Sequence, residues 1–298
     1  MSTHEPGSPD TIVLIHGLWM SPLSWEKWIE RYGASGYRVL APAWPGMEGD
    51  IDQFRADPSA VDRLGMEEII DHYDAIVRDL ESPPIIMGHS FGGAFAEVLL
   101  DRGLGAAGVG IDAAGVRGIV KLPFAQLKSG FPVLKNPANN HRAVTLTFDE
   151  FRYAFANTMT EEAAREAYDR YAVPGPGRIL FQGAFANFNP HAAAKVDFAK
   201  ADRAPLLLIA GELDHTVPAV VDRSMAKHYE KSPALIEYKE FAGRSHFIIG
   251  QDGWEEVADY ALQWAVDHAS TPTKTDEKRR LRTGRSELAH PPKHRSGC

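Results

Sequence analysis

The chain has 298 residues, of which 44% are hydrophobic and 24% charged, so it can bury one large core or two small ones. Its apolar residues fall in short runs, which predicts no membrane-spanning helix, and its polar first ten residues predict no cleaved export signal. The single cysteine, Cys298, excludes an intrachain disulfide and a thiolate metal site, and we therefore expect a cytoplasmic protein.

The net charge of −8 is unevenly distributed along the chain. Residues 270–298 contain eight Lys/Arg and three Asp/Glu, which leaves −13 on the rest. An acidic body argues against nucleic acid as a partner. The basic segment has few apolar residues, so residues 270–298 are predicted to be a disordered tail. Residues 1–10, which precede the first predicted strand, are predicted to be an N-terminal extension.

The first part of the chain predicts alternating strands and helices. A continuous apolar strand at Thr11–Ile15 runs into His16-Gly17-Leu18-Trp19, where the chain must turn sharply. The elements that follow are a helix from Ser21 to Ala34, a strand at Tyr37–Ala41, a polar loop at Glu48–Gly65 and an amphipathic helix at Glu67–Leu80.

A glycine-framed serine follows the next apolar run. Ile85–Met87 predicts a buried strand, Ala94–Leu100 predicts a helix, and Gly88-His89-Ser90-Phe91-Gly92 lies between them. Glycines on both sides of Ser90 let strand and helix approach closely while the serine holds a strained conformation with an exposed hydroxyl. A helix N-cap serine is the structural alternative for this pattern.

The alternation stops after a strand at Ala107–Ile111. Residues 115–195 contain eight of the fourteen phenylalanines and short helical patterns such as Glu161–Tyr171, which favour an inserted, mainly helical lid. The alternation then resumes with strands at Pro205–Ala210 and Leu235–Phe241 and helices at Pro218–Tyr229 and Gly253–His268. About six strands separated by helices predict an α/β fold, a mostly parallel sheet with helices on both faces, formed by residues 11–114 and 196–269.

A serine nucleophile needs a base, and the base needs a carboxylate partner. Asp214 follows one late strand and His246 follows the next, so both are expected at the same sheet edge as Ser90. Asp112, at the end of another strand, is the alternative acid. The amides of Phe91 and Leu18 are the expected oxyanion donors.

Together these motifs resemble the α/β-hydrolase superfamily, in particular its lidded bacterial esterase and lipase-like branch, over about residues 11–269. The resemblance implies a catalytic triad in the order Ser90, Asp214, His246, with an oxyanion hole at Leu18 and Phe91. It implies hydrolysis of a small carboxylic ester through an acyl-enzyme, without a cofactor. We also expect no metal site, because the twelve histidines form no helical pair or short cluster with carboxylates.

The same triad also serves lactones, thioesters, carbon–carbon bonds and cofactor-free perhydrolysis, and a non-catalytic small-molecule receptor is a further alternative. The aromatic residues of the lid favour a small substrate with an apolar acyl or aromatic group. We expect the pocket wall to include Trp19, Phe181, Phe185 and Phe188. His16, His89 and His215 are interpreted as loop-orienting residues.

Overall fold

The computed structural model describes residues 8–269, so the predictions for the tail at 270–298 and for residues 1–7 lie outside the described residues. Six strands form one sheet: β1 (Thr11–Ile15), β2 (Arg38–Leu40), β3 (Ile85–His89), β4 (Ala107–Ile111), β7 (Leu206–Gly211) and β8 (Ile236–Phe241). The sheet is entirely parallel and has the order β2-β1-β3-β4-β7-β8. The predicted α/β-hydrolase sheet is confirmed.

The four central strands are completely buried, because helices cover both faces of the sheet. Successive side chains of β3 show the two faces. Met87 contacts Tyr32 of α1 (Glu26–Ala34), and the Tyr32 hydroxyl donates to Ala258 of α10 (Trp254–His268). Ile86, on the opposite face, lies beside Leu100 of α4 (Phe91–Asp101).

The remaining core helices differ little from the sequence prediction, with one addition. Helix α3 (Met66–Arg78) packs beside α4, and α9 (Val220–Tyr229) lies on the same face. The predicted loop at 48–65 contains a short helix, α2 (Ile51–Ala56). The Asp50 carboxylate caps it by accepting from the amides of the second and third residues, a start signal that outweighs the polar composition.

Residues between β4 and β7 form a separate layer that we call the cap. Its elements are α5 (Phe124–Leu134), β5 (Ala143–Val144), α6 (Phe148–Ala154), α7 (Glu161–Tyr171), β6 (Gly175–Pro176) and α8 (Gly177–Ala184), with β5 and β6 paired antiparallel. The cap is fastened to the core by hydrogen bonds, including Trp19 Nε1 to the Val144 carbonyl at 3.1 Å and the Met66 amide to Gln182 Oε1 at 2.9 Å. That residues 115–195 act as a lid stays a prediction.

No helix between residues 8 and 269 is both long enough and apolar enough to cross a membrane.

Candidate active site

Ser90 occupies the sharp turn between β3 and α4. Its backbone has φ 56° and ψ −123°, a conformation that a non-glycine residue adopts only where the surroundings enforce it. The Ser90 amide donates to the Ile111 carbonyl at 2.9 Å, and its carbonyl accepts from the Gly93 and Ala114 amides, each at 2.9 Å. These bonds to the end of strand 107–111, to the residues after it and to the first turn of α4 hold the strained residue in place.

The glycines around Ser90 are required by close backbone contacts. A Cβ atom at Gly88 would lie 2.0 Å from the Gly92 carbonyl oxygen, and one at Gly92 would lie 2.1 Å from the Ile15 carbonyl oxygen. Real side chains do not tolerate such distances, so β1, β3 and α4 meet here only because both positions lack a side chain. The turn thus has the geometry of a nucleophile elbow.

His246 and Asp214 form a buried hydrogen-bonded pair at the same sheet edge. The loop after β8 carries His246, whose Nδ1 lies 2.6 Å from Asp214 Oδ2. Asp214 Oδ1 accepts from the amides of Thr216 and Val217 at 2.6 and 2.9 Å. In a neutral imidazole that donates its Nδ1–H to the carboxylate, Nε2 is the acceptor nitrogen, and His246 Nε2 has no hydrogen-bond partner among residues 8–269.

His89 ties the elbow to the His246 loop. Its Nε2–H donates to the His246 carbonyl at 2.8 Å, and the centres of the two rings are 4.6 Å apart. Burial holds the pKa of His89 well below its usual range, so the ring is neutral. The residue directly before Ser90 therefore fixes the position of His246 relative to the elbow.

The other two histidines beside the motifs also bond loop backbone, as the sequence interpretation expected. His16 donates from Nδ1 to the Gly17 carbonyl at 3.0 Å, and its Nε2 accepts from the Trp44 amide at 3.3 Å. Burial lowers the pKa of His16 to about 4, which keeps it neutral. His215 Nδ1 lies 3.0 Å from the Tyr153 carbonyl, joining the Asp214 loop to the cap.

Asp112 is the second carboxyl group that faces His246. Its Oδ2 lies 3.9 Å from His246 Nδ1, while its Oδ1 accepts from the Gly211 amide at 2.6 Å. Burial raises the pKa of Asp112 well above its usual range, and the nearby charge of Asp214 adds to the effect. Of the two carboxyl groups that face His246, Asp112 is therefore the neutral one, and Asp214 is the hydrogen-bonded partner of the imidazole.

Two further buried acids lie behind Asp112 and Asp214, and sequence reasoning missed both. Asp222 of α9 accepts from the Ala113 amide at 3.1 Å, and Glu97 of α4 accepts from the Tyr229 hydroxyl at 2.6 Å. Burial raises the pKa of Glu97 to about 7. The available signal was a glutamate inside an otherwise apolar helix.

The turn after β1 lies against the elbow. A Cβ atom at Gly17 would be 2.8 Å from the Cβ of Ser90, so only glycine allows this approach. The following residue, Leu18, is buried, and Trp19 has a positive φ of 64°, which bends the turn. Phe91 is the first residue of α4, where an amide has no intrahelical acceptor. Leu18 and Phe91 thus lie on the two segments that meet at Ser90.

An aromatic contact from the cap also reaches His246. Phe155, at the end of α6, lies edge-on to the His246 ring with centres 4.8 Å apart, and its carbonyl accepts from the Phe247 amide. Trp19 packs edge-on against Phe155 at 6.2 Å. Sequence reasoning grouped Phe155 with the other cap phenylalanines, because only the three-dimensional packing distinguishes it.

The other three proposed wall residues belong to α8 and the turn after it. A Cβ atom at Gly183 would lie 3.0 Å from the Phe91 ring, so α8 covers the start of α4. Phe181 is half-buried, whereas Phe185 and Phe188 are exposed to solvent. Their role as pocket walls stays a prediction.

Possible metal ligands also occur at this site. His89, Asp112 and His246 offer ligand atoms within 4.8 Å of one another. The His246 Nδ1 atom is already bonded to Asp214, and the His89 Nε2 atom to a carbonyl, which leaves few free donors for a tetrahedral ion. This donor set fits a hydrogen-bond network, and the expectation of no metal stays a prediction.

The parallel sheet and its elbow define a hydrolase fold, and the family comparison agrees. Residues 12–260 match the model of the alpha/beta hydrolase family, so the chain belongs to that family. No curated protein sequence is similar enough to match the chain.

Solved structures with the same fold include several enzymes. The monoacylglycerol lipase of Paleococcus ferrophilus is 20% identical, with 88% of this chain and 97% of that chain covered at a TM-score of 0.60. An extracellular α/β-hydrolase from a Paenibacillus species is 20% identical, with coverages of 86% and 98% and a TM-score of 0.64. A pyrethroid hydrolase from Sphingobium faniae JZ-2 is 19% identical, with coverages of 87% and 98% and a TM-score of 0.59. At these identities the similarity establishes the fold.

Proposed function

We propose that the protein is a serine hydrolase that cleaves a small carboxylic ester through an acyl-enzyme intermediate. The observation that carries the proposal is the buried hydrogen bond of 2.6 Å between His246 Nδ1 and Asp214, which leaves Nε2 unprotonated at the sheet edge that bears Ser90. A receptor has no need for a strained serine and a polarised imidazole in one buried place. The similar structures named as a lipase and a pyrethroid hydrolase support ester chemistry.

In the proposed mechanism, His246 removes the proton of the Ser90 hydroxyl as this oxygen attacks the ester carbonyl. Asp214 keeps the imidazole in the Nδ1–H form and stabilises the imidazolium that forms. The amides of Leu18 and Phe91 donate to the oxyanion. The imidazolium then protonates the leaving alkoxide. His246 next deprotonates a water molecule that attacks the acyl carbon, and it returns this proton to the Ser90 oxygen as the acid leaves.

The proposed substrate carries an apolar acyl or aromatic group. Phe155 lies edge-on to the His246 ring and Trp19 packs against Phe155, and apolar walls of this kind bind apolar groups in small-molecule pockets. A panel of p-nitrophenyl esters with increasing acyl length tests this assignment. A rise of kcat/KM from acetate to longer acyl groups is expected, and a flat response would contradict it.

Covalent labelling tests the nucleophile directly. A fluorophosphonate probe should label the wild-type chain, and Ser90→Ala should abolish both the label and the hydrolysis of p-nitrophenyl butyrate, with kcat reduced by about 10³-fold or more. Ser245→Ala is a matched control, because this buried serine lies next to His246 and bonds Gln251 instead. Labelling of the Ser90→Ala variant at the wild-type rate would disprove the assignment.

A further inference from the structure

Helix α5 presents its apolar side chains to solvent. Phe124, Leu127 and Phe131 are spaced at i, i+3 and i+7 and are 79%, 49% and 62% exposed. The opposite side is buried against α8, where Gly130 faces Leu180. A surface helix normally turns its polar residues outward, so the pattern of α5 is inverted.

The exposed apolar surface continues onto the neighbouring segments. Asn187 joins them, because its Oδ1 accepts from the Gly118 amide at 2.7 Å and its Nδ2 donates to the Ile119 carbonyl at 2.6 Å. We call the resulting set the apolar cap patch; its members are Val120, Leu122, Phe124, Leu127, Phe131, Phe185 and Phe188.

The size of the apolar cap patch marks it as a binding surface. Its four phenylalanines are each between 56% and 83% exposed, and at about 200 Å² per aromatic side chain they leave roughly 550 Å² of ring surface in water. This reaches the upper end of the largest apolar patches of ordinary monomers, about 300–600 Å², before the aliphatic members are included.

The charge around the patch is positive on an otherwise acidic protein. Residues 113–148, which contain α5 and the segment before it, include five basic residues and no Asp or Glu. Lys121 and Lys135 lie before and after α5, and both are exposed. The patch therefore combines exposed aromatic rings with cations, which is typical of helices that lie in the headgroup region of a bilayer.

We propose that the apolar cap patch docks the protein on an anionic phospholipid surface. Phe124 and Phe188 enter the acyl boundary, while Lys121 and Lys135 extend to the phosphate groups. A second copy of the chain is a poorer occupant, because it would bring two positively charged segments together.

Docking would also orient the candidate active site. Ser129, on the buried side of α5, donates to the carbonyl of His215 in the loop that carries Asp214, and α8 covers Phe91. The patch thus lies on α5, which contacts the acid loop, and on the segments before α5 and after α8, the helix that covers the start of α4. Lipid binding itself does not depend on the proposed hydrolysis, so the Ser90→Ala chain can be used to measure it.

Vesicle sedimentation tests the proposal with the full-length Ser90→Ala chain. Strong binding is expected to vesicles of equal parts phosphatidylglycerol and phosphatidylcholine, and weak binding to phosphatidylcholine alone. Phe124→Ser with Phe188→Ser should reduce the partition coefficient at least about tenfold. Lys121→Gln with Lys135→Gln should reduce it about fivefold per lysine, or roughly 25-fold.

Leu235→Ser, at an exposed leucine outside the patch, is the matched control and should leave binding unchanged. Every variant keeps residues 270–298, so the basic tail contributes equally to each.

Equal partitioning of wild type and the phenylalanine variant would overturn the proposal, as would equal binding to neutral vesicles. A dimer that forms without lipid and is lost in the phenylalanine variant, seen by light scattering, would assign the patch to self-association instead. Circular dichroism checks folding, and the lysine variant supplies an independent result if the serine variant unfolds.

Discussion

At the scale of single residues, the two carboxyl groups beside His246 differ in their surroundings. Asp214 accepts three hydrogen bonds, from the imidazole and from two amides. Asp112 accepts one, from Gly211, and its second oxygen has no hydrogen-bond partner among residues 8–269. Because burial raises the pKa of Asp112, this group fills its buried position as a neutral acid, and Asp214 is the acid that bonds the imidazole.

This difference gives a prediction for two conservative substitutions. Asp214→Asn removes the charge that holds the His246 tautomer, so kcat should fall by about 10³- to 10⁴-fold. Asp112→Asn replaces a neutral acid with a neutral amide of similar shape, so kcat should change by less than about tenfold and its pH profile should keep its shape. The measurement is kcat for p-nitrophenyl butyrate between pH 5 and 9. An active Asp214→Asn variant together with an inactive Asp112→Asn variant would transfer the role of acid to Asp112.

At the scale of elements, α4 carries its own titrating group inside the core. Glu97 lies between α4 and α9, and the Tyr229 hydroxyl donates to it at 2.6 Å. Burial raises the pKa of Glu97 to about 7 in the folded chain, against about 4.3 for an exposed glutamate. Between these two pH values the folded state binds a proton that the unfolded state has released.

The sign of the resulting pH dependence follows from this proton. The stabilising effect is complete below the unfolded pKa and is lost as pH rises through about 7, so Glu97 should lower the free energy of unfolding as pH increases from about 4.5 to 7. The full effect is on the order of 3 kcal/mol. Glu97→Gln keeps an acceptor for Tyr229 without the titration, so its urea midpoint should depend less on pH than that of wild type.

The exposed Glu166 of α7 is the matched control for this experiment. Glu166→Gln should leave the pH dependence unchanged. Parallel curves for wild type and Glu97→Gln would show that Glu97 does not titrate in this range.

The fold and the placement of the three candidate triad residues at one sheet edge could be predicted from the sequence, because both depend on local patterns. Buried strands such as Thr11–Ile15 give continuous apolar runs, and in a parallel sheet the residues that follow each strand, Ser90, Asp214 and His246, come to one edge. The glycines at positions 88 and 92 indicated the elbow because they form a local pattern around Ser90. None of these predictions required knowledge of contacts between distant parts of the chain.

The parts that sequence reasoning missed depend on tertiary contacts. Helix α5 was not predicted, because Gly130 and Pro132 lie inside it and both residues disfavour a helix interior; the helix forms where this side packs against α8. The neutral state of Asp112 and the contact of Phe155 with His246 arise where separate elements meet. The pairing of Glu97 with Tyr229, 132 residues apart, is of the same kind.

At the scale of the whole molecule, the cap lies against the core near the candidate site, and Ser90 is only 3% exposed. We therefore expect cap and core to separate when an ester binds. One contact between cap and core lies at the end of α7, where the Arg55 side chain donates to the carbonyls of Asp169, Arg170 and Ala172 at 3.0, 2.8 and 3.2 Å. These bonds link the cap to α2 of the core.

Weakening these hydrogen bonds between cap and core should change the access of a substrate to Ser90 more than it changes the chemistry at Ser90. Arg55→Ala removes the three hydrogen bonds to the cap and an exposed ion pair with Asp52, which should lower the free energy of unfolding by about 1–2 kcal/mol. Because Arg55 lies outside the triad, a small fluorophosphonate should label Ser90 at the wild-type rate. A bulky fluorophosphonate, which needs a wider opening, should label it about two- to fivefold faster.

Arg78→Ala, which removes an ion pair with Asp74 on the core, is the control and should affect neither probe. Equal labelling of Arg55→Ala and wild type by both probes would mean that the cap opens elsewhere, for instance at the α5 and α8 side, where the exposed patch lies.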